Sequence, residues 1–282
     1  MKFEKHAAEL FIPDKAPLPG ALTRTTHICF AAHQDDVEIM AYGPVVECYG
    51  RDDKWFSAVI LTDGAGSPRS GVYEKYTDEE MKTVRVKEQK NASVIGEYAA
   101  QFLLARTSGE IKDKNNTALI DELVSILKEC RPQIVYTHNL ADKHDTHVSV
   151  ALRVIQAIRA LPANERPERV IALEVWRGLD WVNDDEKVVL DTSGHQSLSA
   201  ALLGVFDSQI TGGKRYDLAT AGRRLANATY YASHDVDDCE SMSFGIDITD
   251  AVFDAEITPG RIIDKYIDSF RKDVSDRIGR FA

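Results

Sequence analysis

Between Ile28 and Trp176, short apolar runs alternate with longer stretches of helical periodicity. That alternation restricts the chain to one class: α/β, with a mostly parallel sheet and helices on both faces. Ile28–Ala32 reads as a buried strand, and Val37–Tyr49 as a helix after a polar loop. Phe56–Leu61 is a second apolar run, closed by the turn residues Asp63-Gly64. A loop from Gly64 to Tyr76 follows, long enough to cover a site. The pattern then predicts a helix over Asp78–Gly96, a strand over Gln101–Leu104 and a helix over Thr117–Cys130. After Pro132 come a strand at Gln133–Thr137, a helix at Val148–Leu161 and a closing strand at Val170–Trp176. Beyond Trp176 the pattern loosens. Asp180–Asp191 reads as an acidic loop with a short strand; Leu198–Asp207 and Tyr216–Ser233 read as helices, and Asp264–Phe281 as an amphipathic terminal helix. We expect one α/β domain over residues 1–282, with a core at about 24–180 and a C-terminal extension at about 181–282.

Two polar clusters fall at equivalent places, each in the loop after a strand and before a helix. The first is Ala32-His33-Gln34-Asp35-Asp36-Val37-Glu38, and the second runs from His138 to His147 with histidines at 138, 144 and 147. In open parallel sheets, sites gather at the carboxyl ends of strands, so the clusters are expected to meet on one rim. His33, Asp36 and His147 form a set of two imidazoles and a carboxylate that suits a catalytic zinc with one position open. Asp35 stands beside them as a spare carboxylate for proton transfer, and His144 as a spare imidazole one helical turn before His147. The plainer alternatives are that Asp35 and Asp36 cap the following helix, and that the second cluster is a solvated loop.

Composition narrows the partners. With a formal charge of −11, the surface disfavours phosphate backbones and anionic membranes, so no nucleic-acid partner is expected. No stretch approaches the ~18 apolar residues of a membrane span. The four cysteines (Cys29, Cys48, Cys130 and Cys239) contain no Cys-x-x-Cys pair, and the start lacks the apolar segment of a signal peptide. A reduced, cytoplasmic protein is the expectation. The Gly212-Gly213-Lys214-Arg215 stretch is basic but lacks the P-loop pattern, and no Gly-x-Gly-x-x-Gly follows the first strand, which argues against a nucleotide cofactor.

The two clusters, together with Thr62-Asp63-Gly64 and the Arg85–Gly96 stretch containing Arg85 and Glu88, resemble the PIG-L/LmbE-like de-N-acetylases over roughly residues 27 to 160. That family has an Ala-His-Pro-Asp-Asp-x-Glu motif after its first strand, a Thr-Asp-Gly turn, an Arg-x-x-Glu helix and an Asp-x-His-x-Asp-His motif. The resemblance implies an LmbE-like, Rossmann-resembling fold. It implies His33, Asp36 and His147 as zinc ligands, Asp35 as general base and His144 as stabiliser of the tetrahedral intermediate. Arg85 matches an arginine near the sugar pocket, which implies a substrate contact; the alternative is a helix-surface ion pair with Glu88.

The implied reaction is removal of an N-acetyl group from an amino sugar or its conjugate, with release of acetate. The implied partner is a small N-acetylated molecule, and relatives often form homo-oligomers. The alternatives are a metal-dependent amidase on a non-sugar N-acyl compound and a non-catalytic sugar-binding relative. Ferrous iron (Fe2+) tolerates the same ligands as Zn2+. Two positions depart from the family pattern: Gln34 stands for the proline, and Thr146 for the aspartate before the last histidine, so that either Asp145 or Asp142 substitutes or His144 is a weaker acid/base partner. Trp176 and Trp181 stand near a strand end, as a sugar-stacking wall or as core; His138 orients the loop or touches substrate; and His234 belongs to a Ser-His-Asp run without triad spacing.

Overall fold

The computed structural model describes residues 3–282. Eight strands form one sheet: β1 (Glu9–Phe11), β2 (His27–Ala31), β3 (Phe56–Thr62), β4 (Ala100–Arg106), β5 (Ile134–His138), β6 (Arg169–Leu173), β7 (Val188–Asp191) and β8 (Met242–Asp247). Their order across the sheet is β1-β4-β3-β2-β5-β6-β8-β7. The five central strands pair in parallel. The outer pairs β1/β4, β6/β8 and β7/β8 are antiparallel. Every residue of β2 and β3 is buried, as strands covered on both faces require.

Alternate side chains feed two cores. Phe30, Val59, Leu61 and Phe102 pack with helices Thr117–Cys130 and Asp145–Arg159, whereas Cys29, Ala58 and Ile60 pack with helices on the opposite face. The chain runs β2→β3→β4 to one side and then returns to lay β5 against the free side of β2. That reversal places the loops after β2 and β5 on either side of one crevice, the position where open α/β sheets bind ligands.

Differences from the sequence reading have local causes. The helix expected over Val37–Tyr49 is two helices, Asp36–Met40 and Tyr42–Cys48, broken at Ala41. Pro44 has no N–H for the Met40 carbonyl and its ring crowds that oxygen, so one continuous helix cannot form. The terminal helix begins earlier than expected, at Pro259, because the Thr258 hydroxyl accepts the Arg261 N–H and proline suits the first helical position. Helix Asp78–Ile95 starts at a capping box, in which Thr77 and Glu80 exchange side-chain-to-backbone bonds.

The apolar pattern predicts neither β1 nor β8. β1 has only three residues, and β8 is interrupted by Gly245, whose added Cβ would lie 2.7 Å from Ile171 Cγ2 on β6. β8 inserts between β6 and β7, so the C-terminal region is built into the sheet. No helix of the described residues is long and apolar enough to cross a membrane.

Ile246 is fully buried on β8, whereas Ile267 on the terminal helix is 39% exposed. Urea unfolding should therefore show Ile246→Ala costing about 2–5 kcal/mol and Ile267→Ala well under that.

Candidate metal centre

The loops after β2 and β5 bring three donor atoms together. His33 Nδ1 lies 3.1 Å from Asp36 Oδ2 and 3.2 Å from His147 Nε2, and the last two are 3.4 Å apart. Ligand atoms held about 2.0–2.1 Å from a tetrahedral ion sit about 3.3–3.4 Å from one another. The triangle therefore fits a zinc-sized cation, and two of its three residues, His33 and Asp36, line the cavity.

Each ligand candidate is held by its surroundings. Asp36 is buried and its Oδ2 also accepts the His33 N–H at 2.7 Å, which closes the turn. Burial works against its charge, but His147, His33 and His138 outweigh that and hold the carboxyl far below the usual range. His147 is fully buried on helix Asp145–Arg159. The Asp142 carboxylate stands 3.6 Å from its Nδ1, long for a hydrogen bond but close enough to favour the proton there. That leaves the Nε2 lone pair directed at the centre. Asp142 is itself fixed by the backbone N–H groups of His144, at 2.9 Å, and Trp176, at 3.1 Å. Of the two aspartates weighed against the Thr146 departure, Asp142 is therefore the one that faces His147. Thr146 is buried and lines the cavity instead.

His138 completes another possible cluster with Asp36 and His147. Its Nε2, however, accepts the Ala32 N–H at 2.9 Å, and its ring stacks on His147 at 3.9 Å. With that lone pair engaged, His138 orients the loop and its neighbour. His144, the N-cap residue of the same helix, does line the cavity; its ring stacks 4.5 Å from His147 and stands edge-on to His33 at 5.0 Å. Burial, with His147 and His33 nearby, lowers its pKa.

Asp35 does not cap the helix that follows. Its backbone is left-handed (φ 93°) and its side chain makes no capping bond, a conformation that costs about 1–3 kcal/mol in a non-glycine residue. Its carboxylate turns to Arg85 Nη2 at 3.2 Å, and its N–H donates to Gln89 Oε1 at 3.3 Å. Burial pushes its pKa up to about 6, with Asp36 adding to the rise and Arg85 opposing it.

Arg85 is not on the helix surface. Its side chain is almost wholly buried, binds the Gln34 carbonyl, and lies 3.7 Å from Glu88, which Ser208 holds through its N–H and hydroxyl. Arg85 thus lines the cavity as a cation already committed to Asp35. Gln34 ties the first loop to β3 through the Thr62 carbonyl at 3.1 Å, which supplies a restraint in the place of proline. Gly64 is required where it stands: its φ is +77°, and an added Cβ would lie 3.0 Å from Arg85.

Glu38 anchors the same loop from below. Its Oε1 accepts the Tyr98 hydroxyl at 2.8 Å and Gln89 Nε2 at 2.9 Å. Burial nonetheless pushes its pKa up to about 7.

A cavity of about 590 Å³ opens from the triangle. Sequence reasoning missed most of its far wall, where Glu174, Gln209, Tyr216, Thr220, Arg223 and Arg224 come from the end of β6 and from the C-terminal region. Only the Gly212-Gly213-Lys214-Arg215 stretch offered a local cue to this wall. Trp176 is part of the cavity wall, Trp181 packs against the core, and His234 is exposed away from the site.

Residues 28–158 match the family model PIG-L, described as GlcNAc-PI de-N-acetylase. In fold the chain is similar to several solved structures. The conserved protein TT1542 from Thermus thermophilus has a TM-score of 0.63 at 17% identity, over 79% of this chain and 94% of that one. N,N'-diacetylchitobiose deacetylase from Pyrococcus horikoshii has a TM-score of 0.63 at 14% identity, over 82% and 86%. GalB, the 4-carboxy-2-hydroxymuconate hydratase from Pseudomonas putida, has a TM-score of 0.62 at 15% identity, over 79% and 96%. No curated protein matches the chain. A deacetylase and a hydratase share this architecture, so the likeness establishes the fold and leaves the reaction to the site.

Two outcomes are expected. Metal analysis after gel filtration should find one divalent metal ion per chain, lost in Asp36→Ala and His147→Ala, while Asp142→Asn and His138→Gln weaken affinity by about 10–100-fold. For Glu38 the sign is set by an acid whose folded pKa, about 7, exceeds its ordinary 4.5. Its charging cost is missing below about pH 4.5 and complete above about pH 7, so stability falls across that window. The gain in melting temperature of Glu38→Gln over the parent should be larger at pH 8 than at pH 5.

Proposed function

We propose that this protein is a zinc-dependent amide hydrolase that removes an N-acetyl group from an amino sugar or amino-sugar conjugate, releasing acetate and a free amine. The observation that carries this reading is the triangle of His33, Asp36 and His147 donor atoms, 3.1–3.4 Å apart, with Asp35 and His144 beside it on one cavity. The match of residues 28–158 to a de-N-acetylase family model supports it. When bound, the metal supplies Lewis-acid activation of water and of the acyl carbonyl.

In this reading Asp35 takes a proton from the attacking water. Its position suits that task, because burial raises its basicity while Arg85 keeps the ionised form accessible at neutral pH. The left-handed backbone at Asp35 aims the carboxylate toward Arg85 and the cavity instead of the helix N–H groups. His144 donates a hydrogen bond to the oxygen that gains charge as the carbonyl becomes tetrahedral. The proton taken from water is delivered to the nitrogen as the C–N bond breaks, which leaves acetate and the amine. Asp142 keeps His147 in the tautomer that binds, and it orders the loop that presents His144. Trp176 gives the acetylated ring an apolar face against which to stack.

Asp35→Asn should keep its zinc and lose about 10²–10⁴-fold in acetate release, measured by a coupled acetate assay beside metal analysis. Undiminished turnover in that variant would remove Asp35 from the mechanism. A panel of N-acetylated sugars and N-acyl amino acids separates the sugar reading from a non-sugar amidase.

A further inference from the structure

Helix Pro259–Gly279 is packed at its start and free at its end. Ile262 and Tyr266 are buried, and Ile263 packs on the core beside them. The Tyr266 hydroxyl donates to the Asp247 carbonyl at 3.2 Å, and Ser269 Oγ accepts the Asn183 amide at 2.8 Å. From Val274 onward every residue is exposed, so the last turns stand clear of the body.

Those free turns are not polar. Ile267, Phe270, Val274, Ile278 and Phe281 continue at helical spacing from Ile263, and each is between 37% and 86% exposed. Phe281 lies just past the helix, where its N–H still bonds to the Ile278 carbonyl at 3.0 Å. The row leaves on the order of 500 Å² of apolar surface open to water, in one contiguous strip. Helical turns without tertiary packing are marginal in water, so a partner on this strip would stabilise the helix as well as cover it.

The order of the side chains indicates which partner fits. The row advances by three, four, four and three residues, an interval that reads the same from either end. A two-fold axis through Val274 therefore sets Ile267 against Phe281 of a second, antiparallel copy, Phe270 against Ile278, and Val274 against itself. Each outer layer pairs one ring with one branched aliphatic side chain, and the smallest residue falls on the axis, where the helices come closest. Such self-complementarity is what an isologous contact requires.

The charges agree with this pairing. Asp273 and Arg277 are joined at 3.1 Å on one edge of the row, and the same two-fold brings Arg277 of each copy beside Asp273 of the other. The remaining flank charges pair within the helix, Arg271 with Asp268 and Lys272 with Asp276. A helix lying on an anionic membrane carries an excess of bases along its polar face. Here four acids stand against six bases between Arg261 and Arg280, on a chain of net charge −11.

We propose that two copies of this chain form a dimer by antiparallel pairing of their terminal helices through Ile267, Phe270, Val274, Ile278 and Phe281. The helix lies outside the matched residues 28–158, and the pairing does not depend on the hydrolase reading. A standard stable interface buries ~800 Å² on each partner, so a single helical seam gives a dimer that dissociates at about micromolar concentration.

Sedimentation equilibrium of the full chain should give a mean mass near one chain at about 0.1 μM and near two at about 100 μM. Phe270→Glu and Ile278→Glu should each raise the dissociation constant at least about tenfold. Both side chains are exposed, and an unchanged main melting transition shows that the body of the variant is intact. Direction is read by diamide cross-linking in a Cys239→Ser background, because the other three cysteines are buried. Val274→Cys should form an interchain disulfide, whereas Lys272→Cys, on the far side of the helix, should not. Ile267→Cys should cross-link to Phe281→Cys in a mixture, and neither should cross-link to itself. The proposal is overturned by a single-chain mass at every concentration, including one accompanied by binding to phosphatidylglycerol vesicles. A dimer indifferent to both glutamates, or Ile267→Cys joined to itself as readily as to Phe281→Cys, overturns it as well.

Discussion

The pairing of β5 against β2 is the contact on which the site depends. Its register sets Cys29 beside Tyr136 and leaves both strands ending at the same rim. From there the first loop turns back through the bond between the His33 N–H and Asp36, while the second is drawn in by His138, which accepts the Ala32 N–H across the strand boundary. That last bond joins residues 106 positions apart in sequence. With the strand register, it sets the histidine cluster against the Asp35-Asp36 pair. A cation bridging His33, Asp36 and His147 would reinforce a junction that backbone pairing has already made.

Around this junction the protein buries several charged side chains that are linked to one another. Arg85 lies between Asp35 and Glu88, Ser208 holds Glu88, and Gln89 links Asp35 to Glu38. Such a network is rigid because removing any one member leaves another polar group buried without a partner. It ties helix Asp78–Ile95 and the Ser208 segment to the motif loop, so the strained Asp35 backbone is held by contacts on several sides. Rigidity of this kind is what acid–base chemistry needs, since a misplaced base loses most of its effect.

Much of the fold can be read locally. Helix Thr117–Cys130 is delimited to the residue, because Leu119, Leu123, Ile126 and Leu127 repeat with helical spacing and Pro132 follows. The parallel core strands stand out as unbroken apolar runs. β8 does not, because Ser243 and Gly245 interrupt it and its partner, β6, lies some seventy residues earlier. The role of Arg85 is also out of reach: spacing with Glu88 suggests a surface pair, whereas packing against Phe206 and Ser208 buries it.

The sequence by itself determined that two clusters of metal-binding side-chain types stand in loops after strands, because strand ends, donor types and chain order are local properties. It also settled the α/β class, through the periodicity of apolar residues. The tertiary structure alone decided that His138 accepts the Ala32 N–H, which aspartate faces His147, and how the C-terminal region walls the cavity. Those outcomes depend on hydrogen bonds and packing between segments far apart in the chain, where no period or spacing carries information.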